Sequence, residues 1–169
     1  GLLPAYQPGP HSEVHLRNGR TLQYANTQGP GDLMGYVIGG KQERASKGGS
    51  KVLGETVREG DLLSISDPRN KCPLRRDATR TVLLAGGIGI TPLLSMARLL
   101  DKSSLTSELH YFTRAGEPTP FRSELEALHG QAIFHTRPPR AEIPAPISAV
   151  LGTWSLAPHV FACRPRPML

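Results

Sequence analysis

The sequence predicts an α/β protein in two parts, a small antiparallel β-barrel over residues 1–76 and a doubly wound parallel-sheet domain over residues 77–169. Three observations carry this. Before Asp77 the apolar residues come in short alternating runs between Gly, Pro and Asn turns, the pattern of half-buried strands. After it they come in continuous apolar runs that alternate with helix-periodic segments, the pattern of βαβ units. The 18 glycines and 16 prolines require many short elements joined by tight turns, which excludes a helical bundle.

In the first part Ser12-Glu13-Val14-His15-Leu16 alternates, and Asn18-Gly19 is the strongest short hairpin signal, so Thr21 to Tyr24 returns as the partner strand. Tyr36-Val37-Ile38 supplies a further strand. Gly48-Gly49-Ser50 precedes a short helix from Lys51 to Thr56, and Glu59-Gly60-Asp61 turns the chain into a strand from Leu62 to Ser66. In the second part Thr81-Val82-Leu83-Leu84-Ala85 reads as a buried parallel strand, followed by a glycine turn and a helix from Pro92 to about Leu100. The alternation continues through Glu108 to Phe112, Phe121 to Leu128, Ala132 to His135, Ile147 to Leu151 and His159 to Ala162. The Pro-rich Arg137 to Pro146 reads as a surface loop.

The net charge of +6 is spread over Arg75-Arg76, Arg137 to Arg140 and Arg164-Pro165-Arg166 rather than gathered in one run. Diffuse basicity suits an acidic partner or a phosphate-bearing cofactor. With 5% aromatic residues and no interleaving of aromatic and basic side chains, a nucleic-acid partner is not expected. The apolar stretches fall short of the roughly 20 residues that span a bilayer, and no basic-then-apolar leader opens the chain. A soluble, cytoplasmic protein with no membrane association is expected. Cys72 and Cys163 belong to no CxxC pair, so neither a disulfide scaffold nor a metal site supplied by this chain is expected.

The sharpest motif is Gly86-Gly87-Ile88-Gly89-Ile90-Thr91-Pro92, placed after the first parallel strand and opening a helix. Glycines let the backbone turn sharply and approach a pyrophosphate closely. Thr91 would cap the free amides and Pro92 suits the first helical position, so helix dipole and unpaired N–H groups face an anion. The alternative is a glycine turn that merely packs helix on strand. A second cluster, Ser46-Lys47-Gly48-Gly49-Ser50, can form an anion nest of successive N–H groups with a lysine beside it, although such clusters are ordinarily solvated loops. Cys163 ends the last strand, where open parallel sheets present groups to ligands; a buried structural cysteine is the plainer reading. Arg114, just after the second parallel strand, is placed to reach an adenosine ribose or its 2′-phosphate, or is a surface arginine. No HExxH, GxSxG or P-loop pattern is present, so hydrolase and NTPase chemistry lacks its usual residues.

Taken in order, the barrel pattern, Gly48-Gly49-Ser50, the Gly86-to-Pro92 turn and Cys163-Arg164-Pro165 resemble the ferredoxin-NADP reductase superfamily. They are most similar to the reductase components of Rieske oxygenases, the phthalate dioxygenase reductase and vanillate demethylase reductase group. Pro8-Gly9-Pro10-His11, Val14-His15-Leu16, Asn18-Gly19, Tyr36-Val37-Ile38, Asp67-Pro68-Arg69-Asn70, Pro73-Leu74 and Phe121-Arg122-Ser123-Glu124-Leu125 fall where that group has similar strings.

The resemblance implies an NAD(P)H-dependent flavin oxidoreductase that passes electrons to an iron-sulfur protein or oxygenase component. It implies FMN, with FAD as the alternative, and NADH or NADPH. Gly86, Gly87, Gly89, Thr91, Pro92 and Arg114 would hold the dinucleotide, and Cys163 would sit beside the nicotinamide as the catalytic position. Gln23, Tyr24, Ala25, Ile38, Gly39, Lys47, Gly48, Gly49 and Ser50 would line the flavin; no metal ligand is implied. The sequence departs from the family in reading Leu22-Gln23-Tyr24-Ala25 where the motif is Arg-x-Tyr-Ser, Asp67 for a glycine, and Arg164 for the glycine of Cys-Gly-Pro. It opens inside the expected barrel, without the family's first strand, and carries no plant-type ferredoxin domain after Cys163. The differences at residues 22, 25, 67 and 164 keep a second reading open, a non-catalytic relative acting as a binding or assembly subunit.

Overall fold

The computed structural model describes residues 2–29, 31, 34–41, 49–70, 72–75, 77–129, 131–137 and 158–163. Lys47, Gly48, Arg164, the expected strand from Ile147 to Leu151 and the Pro-rich stretch after Arg137 lie outside the described residues.

The first part is an antiparallel sheet curled into a half-barrel, with strand order β3-β2-β1-β4 and β5 also on β1. β1 (Pro10–His15) pairs with β2 (Thr21–Asn26) in the register Ser12↔Tyr24 and Val14↔Leu22. Alternation in the sequence becomes alternation in burial: Ser12 and Val14 are inside, His15 outside. The hairpin closes through three residues, Arg17, Asn18 and Gly19. Leu16 N–H donates to Arg20 O at 2.8 Å and Gly19 N–H to Leu16 O at 3.0 Å. Only the glycine is left-handed, at φ +78°, so the turn is the bulged three-residue kind rather than a two-residue primed turn.

β3 (Ile38–Gly39) and β4 (Ser64–Ile65) are shorter than the sequence predicts, and β5 (Arg69–Asn70) was not expected as a strand. Around β3 the chain bonds irregularly. Val37 O accepts both Thr27 N–H, at 2.9 Å, and the Thr27 hydroxyl, at 3.1 Å. Near β4, Leu62 is 90% exposed, so the run from Leu62 is apolar without being buried. Helix α1 (Gly49–Thr56) begins two residues before the expected Lys51 and lays Val52 and Leu53 on Val14, Leu16 and Tyr24.

The second part is a four-stranded parallel sheet, β6 (Thr81–Gly86), β7 (Ser107–Arg114), β8 (Gln131–Arg137) and β9 (His159–Cys163), in the order β8-β7-β6-β9. Every residue of β6 is buried, as a continuous apolar run requires of a central strand. Helix α2 (Ile90–Lys102) lies on one face and packs Leu93, Leu94, Ala97 and Leu100 on Leu83, Ala85, Leu109 and Tyr111. The short α3 (Arg122–Glu126) adds Leu125 to this cluster.

The other face carries Val82, Leu84 and Phe112, with His110 and His135. His135 stacks on Phe112 at 4.4 Å between centroids, and His110 Nδ1 lies 3.0 Å from His135 Nε2. Burial lowers both imidazole pKa values. The Glu108 carboxylate opposes the shift at His110, the Arg80 guanidinium adds to it, and His110 adds to the shift at His135. A base whose pKa falls on folding takes up its proton more readily when unfolded. Its stabilisation is therefore complete above the ordinary histidine value of about 6.5 and lost as pH drops through that value toward the folded one. The urea midpoint should fall between about pH 7.5 and 5.5, and His135→Phe should flatten the fall. An equal slope in the variant would remove the pair as its source.

Candidate functional site

Strand order in the parallel sheet reverses between β6 and β9, and ligands of open parallel sheets sit in the crevice outside the carboxyl ends at such a point. Two sequence-predicted groups meet there. Ala85 is directly opposite Cys163, and β6 runs one residue further to Gly86 before a single 3-10 turn over Gly87–Gly89. Gly86 is extended, at φ −119° and ψ 116°, and Gly87 is left-handed at φ +52°, so the chain reverses within two glycines.

The helix starts earlier than predicted, and this changes two roles. Gly89 is the N-cap and Ile90 the first helical residue, so Pro92 stands third, still among the positions whose N–H has no intrahelical acceptor. Thr91 does not cap the amides: its hydroxyl donates to Ile88 O at 3.0 Å. Among the described residues no side chain caps the N-terminus of α2, and its first turn carries no acidic residue. The positive end of this 13-residue helix thus carries no competing acidic side chain, as a pyrophosphate site requires.

Cys163 packs against the main core on the α2 face of the sheet. Burial pushes its thiol pKa up and the Cys72 charge acts in the same direction. It is therefore a neutral, polarisable side chain rather than a thiolate nucleophile. Arg114 ends β7 with a half-exposed side chain, 3.6 Å from Glu117, and Glu117 also holds Lys41 at 3.2 Å. Lys41 follows β3, so one carboxylate joins the rims of both sheets.

On the antiparallel side, Gln23, Tyr24 and Ala25 lie on β2, with Ile38 and Gly39 on β3 in the register Ala25↔Gly39. Side chains alternate between faces. Gln23 is on the exposed face and donates to Glu13 at 2.9 Å, whereas Tyr24 faces Val14, Leu16 and α1. Tyr24 is 9% exposed and burial raises its phenol pKa, so it remains a neutral hydroxyl donor. Gly40 is pressed to the same ring, since a Cβ there would come within 2.9 Å of Tyr24 Cε1. Ser50 stands in the first turn of α1, two helical turns or less from the side chains that cover Tyr24. Burial raises the phenol pKa of Tyr36 and the Asp67 charge raises it further.

Gly39 brings the two halves together. A Cβ at this residue would collide with Thr91 Cγ2 and approach Thr27 Cγ2 to 3.2 Å, so β3 is seated on the first turn of α2. Ala25, Gly39, Thr91, the Gly86–Gly89 turn and Cys163 therefore share one region. Arg114 stands apart at the rim, and Gln23 points away. The sequence reading missed Ser95, Arg98 and Thr27, which tie the halves further along α2. The available signal for Ser95 and Arg98 was their helical spacing, three residues apart on α2.

No protein-family model matches the chain. It is 40% identical over 164 residues to vanillate O-demethylase oxidoreductase of Acinetobacter baylyi, covering 96% of this chain and 51% of that protein. It is 37% identical over 172 residues to the phthalate 4,5-dioxygenase oxygenase reductase subunit of Pseudomonas putida, covering 99% and 53%. The solved structure of phthalate dioxygenase reductase superposes with a TM-score of 0.90 at 33% identity, over 99% of this chain and 53% of that one. The chain has the ferredoxin-NADP reductase-like fold. It is homologous to the reductase components of Rieske oxygenases. It spans about half the length of these relatives. The half-barrel and parallel sheet are the fold expected of this superfamily, with the switch-point crevice where its members would place a dinucleotide.

Proposed function

We propose that the chain is the flavin- and pyridine-nucleotide-binding part of a reductase that passes electrons from NADH or NADPH, through flavin, to an iron-sulfur protein or oxygenase component. The observation that carries this reading is the uncapped glycine turn at the switch point, pressed through Thr91 and Gly39 against the half-barrel. The phthalate dioxygenase reductase structure is described as a modular structure for electron transfer from pyridine nucleotides to [2Fe-2S], and resemblance to it supports the same class of chemistry here.

In this reading residues 77–169 bind the dinucleotide and residues 1–76 the flavin, FMN in preference to FAD. The flavin, when bound, supplies the chemistry that joins two-electron donors to one-electron acceptors. Gly86, Gly87 and Gly89 admit the pyrophosphate, Thr91 and Pro92 fix the start of α2 beneath it, and Arg114 reaches the adenosine ribose. Cys163, held neutral, gives the nicotinamide a small uncharged neighbour. Tyr24, Gly39, Gly49 and Ser50 fit a flavin phosphate and ring, with Gln23, Ala25, Ile38, Lys47 and Gly48 as the further lining that the family supplies. Among the described residues no helix is long and apolar enough to cross a membrane, and no group of three His, Cys, Asp or Glu side chains is placed to hold a metal.

Incubation with FMN, desalting and a visible spectrum test the reading. Retained flavin absorbs at about 450 nm and should bleach on adding NADH or NADPH. A protein that keeps no flavin yet binds dinucleotide would instead favour the non-catalytic relative, which Leu22 and Ala25 at the flavin motif already suggest. Binding of neither would overturn both.

A further inference from the structure

We infer that Ser95 and Arg98 of α2 are positioning residues: with Thr91 they fix how closely the dinucleotide turn approaches β2 and β3, and so set the rate of hydride transfer between dinucleotide and flavin. This rests on the function proposed above.

Helix α2 has two faces with different partners. Leu93, Leu94, Ala97 and Leu100 enter the parallel-sheet core. Thr91, Ser95, Arg98 and Lys102 are spaced four, three and four residues apart, one stripe of a helix. Each meets the half-barrel side at a different point. Thr91 Cγ2 fills the space at Gly39. Ser95, fully buried, accepts Gly9 N–H at 2.8 Å and donates to Pro92 O at 3.0 Å. Arg98 Nη1 donates to Thr27 O at 2.7 Å, and the backbone at Gly29 passes over Arg98 and Lys102.

A wholly apolar seam would hold the halves together without fixing their register, since burial is non-directional. Hydrogen bonds to two backbone groups, at Gly9 and Thr27, fix it. Both sit on the same rigid helix as the glycine turn. Ser95 is four residues from Thr91, about 6 Å along the axis, so a shift of the helix on the half-barrel moves the turn equally. The buried Gly9 amide has Ser95 as its partner, and Gly9 is left-handed at φ +87° with the Met96 methyl against it, so that segment cannot readily supply another geometry. Hydride transfer requires reacting atoms about 3 to 3.5 Å apart, and a misplacement of about 1 Å costs on the order of a hundredfold in rate.

Three measurements on Ser95→Ala, Arg98→Ala and Arg98→Lys test this: NADH affinity by calorimetry, flavin reduction by stopped flow, and sheet-to-sheet orientation in the cofactor-free chain from residual dipolar couplings. The two alanine variants should reduce flavin about 10 to 100 times more slowly, with dinucleotide affinity and flavin content at wild-type levels and a changed orientation. Arg98→Lys keeps a cationic donor and should recover most of the rate. Amide exchange at Gly9 should speed up in Ser95→Ala alone. An unchanged orientation and rate would overturn the inference, as would a rate loss that follows loss of flavin or a failure of lysine to rescue. A wild-type chain that binds neither cofactor would sink the functional reading, while orientation and exchange would still decide whether these residues set the seam.

Discussion

Gly87→Val abolishes measurable binding of NADH and NADPH while leaving the half-barrel folded. Two effects act together. Gly87 is left-handed at φ +52°, a conformation that costs a non-glycine residue on the order of 1–2 kcal/mol and a β-branched one more. In the proposed reading a side chain here would also crowd the pyrophosphate. Affinity should fall at least a hundredfold, about 2.7 kcal/mol. Gly89→Val separates the two causes, because Gly89 is already right-handed at φ −61° and accepts a side chain without dihedral strain. Loss of binding in this variant, with an unchanged circular dichroism melt, leaves exclusion of the pyrophosphate as the cause. Unchanged affinity would sink the dinucleotide assignment.

The glycine turn was legible because its determinants are local: a continuous apolar strand, three glycines in four residues, then helix spacing. Its finer geometry was not. Thr91 and Pro92 read as cap and first helical residue, but the 3-10 turn at Gly87–Gly89 begins the winding earlier and shifts both inward. Apart from the two-residue β5, the described strands were legible and their lengths were not, since Val37 and Leu62 are β-favourable residues whose pairing is decided by Thr27, Gln28 and the exposed edge. The role of the polar stripe on α2 was not legible, because one sequence window cannot show that a second sheet lies over it. The pairs Gly9–Ser95 and Thr27–Arg98 span 86 and 71 residues, beyond any periodicity argument. The buried His110–His135 pair escaped for the same reason: each histidine is one polar residue in an apolar strand, and only the β7–β8 register brings them face to face.

Leu22→Arg combined with Ala25→Ser raises flavin affinity about 10- to 100-fold. Leu22 and Tyr24 are two residues apart on β2 and lie on one face, the face covered by α1, with Leu22 directly opposite Val14. A guanidinium at position 22 would therefore stand on the same face as the Tyr24 ring, the face that α1 covers. A charge-assisted hydrogen bond to a flavin phosphate there is worth about 1.5 to 3 kcal/mol, one to two decades of affinity. Loss of Leu22 packing subtracts little from this, because the residue is only partly buried. Ala25 is on the opposite face, 4% exposed and across from Gly39. One added oxygen places a hydroxyl beside Thr91, where the two halves meet. Titration of FMN and FAD by fluorescence, on wild type and double variant, measures the gain. FMN should benefit more than FAD, since its terminal phosphate carries the greater charge. Leu22→Lys in the same background should recover part of the effect, having charge without the planar fork. If the double variant binds both flavins as wild type does, the face of β2 that carries Tyr24 is not where a flavin sits, and the proposed reductase chemistry loses its site in the half-barrel.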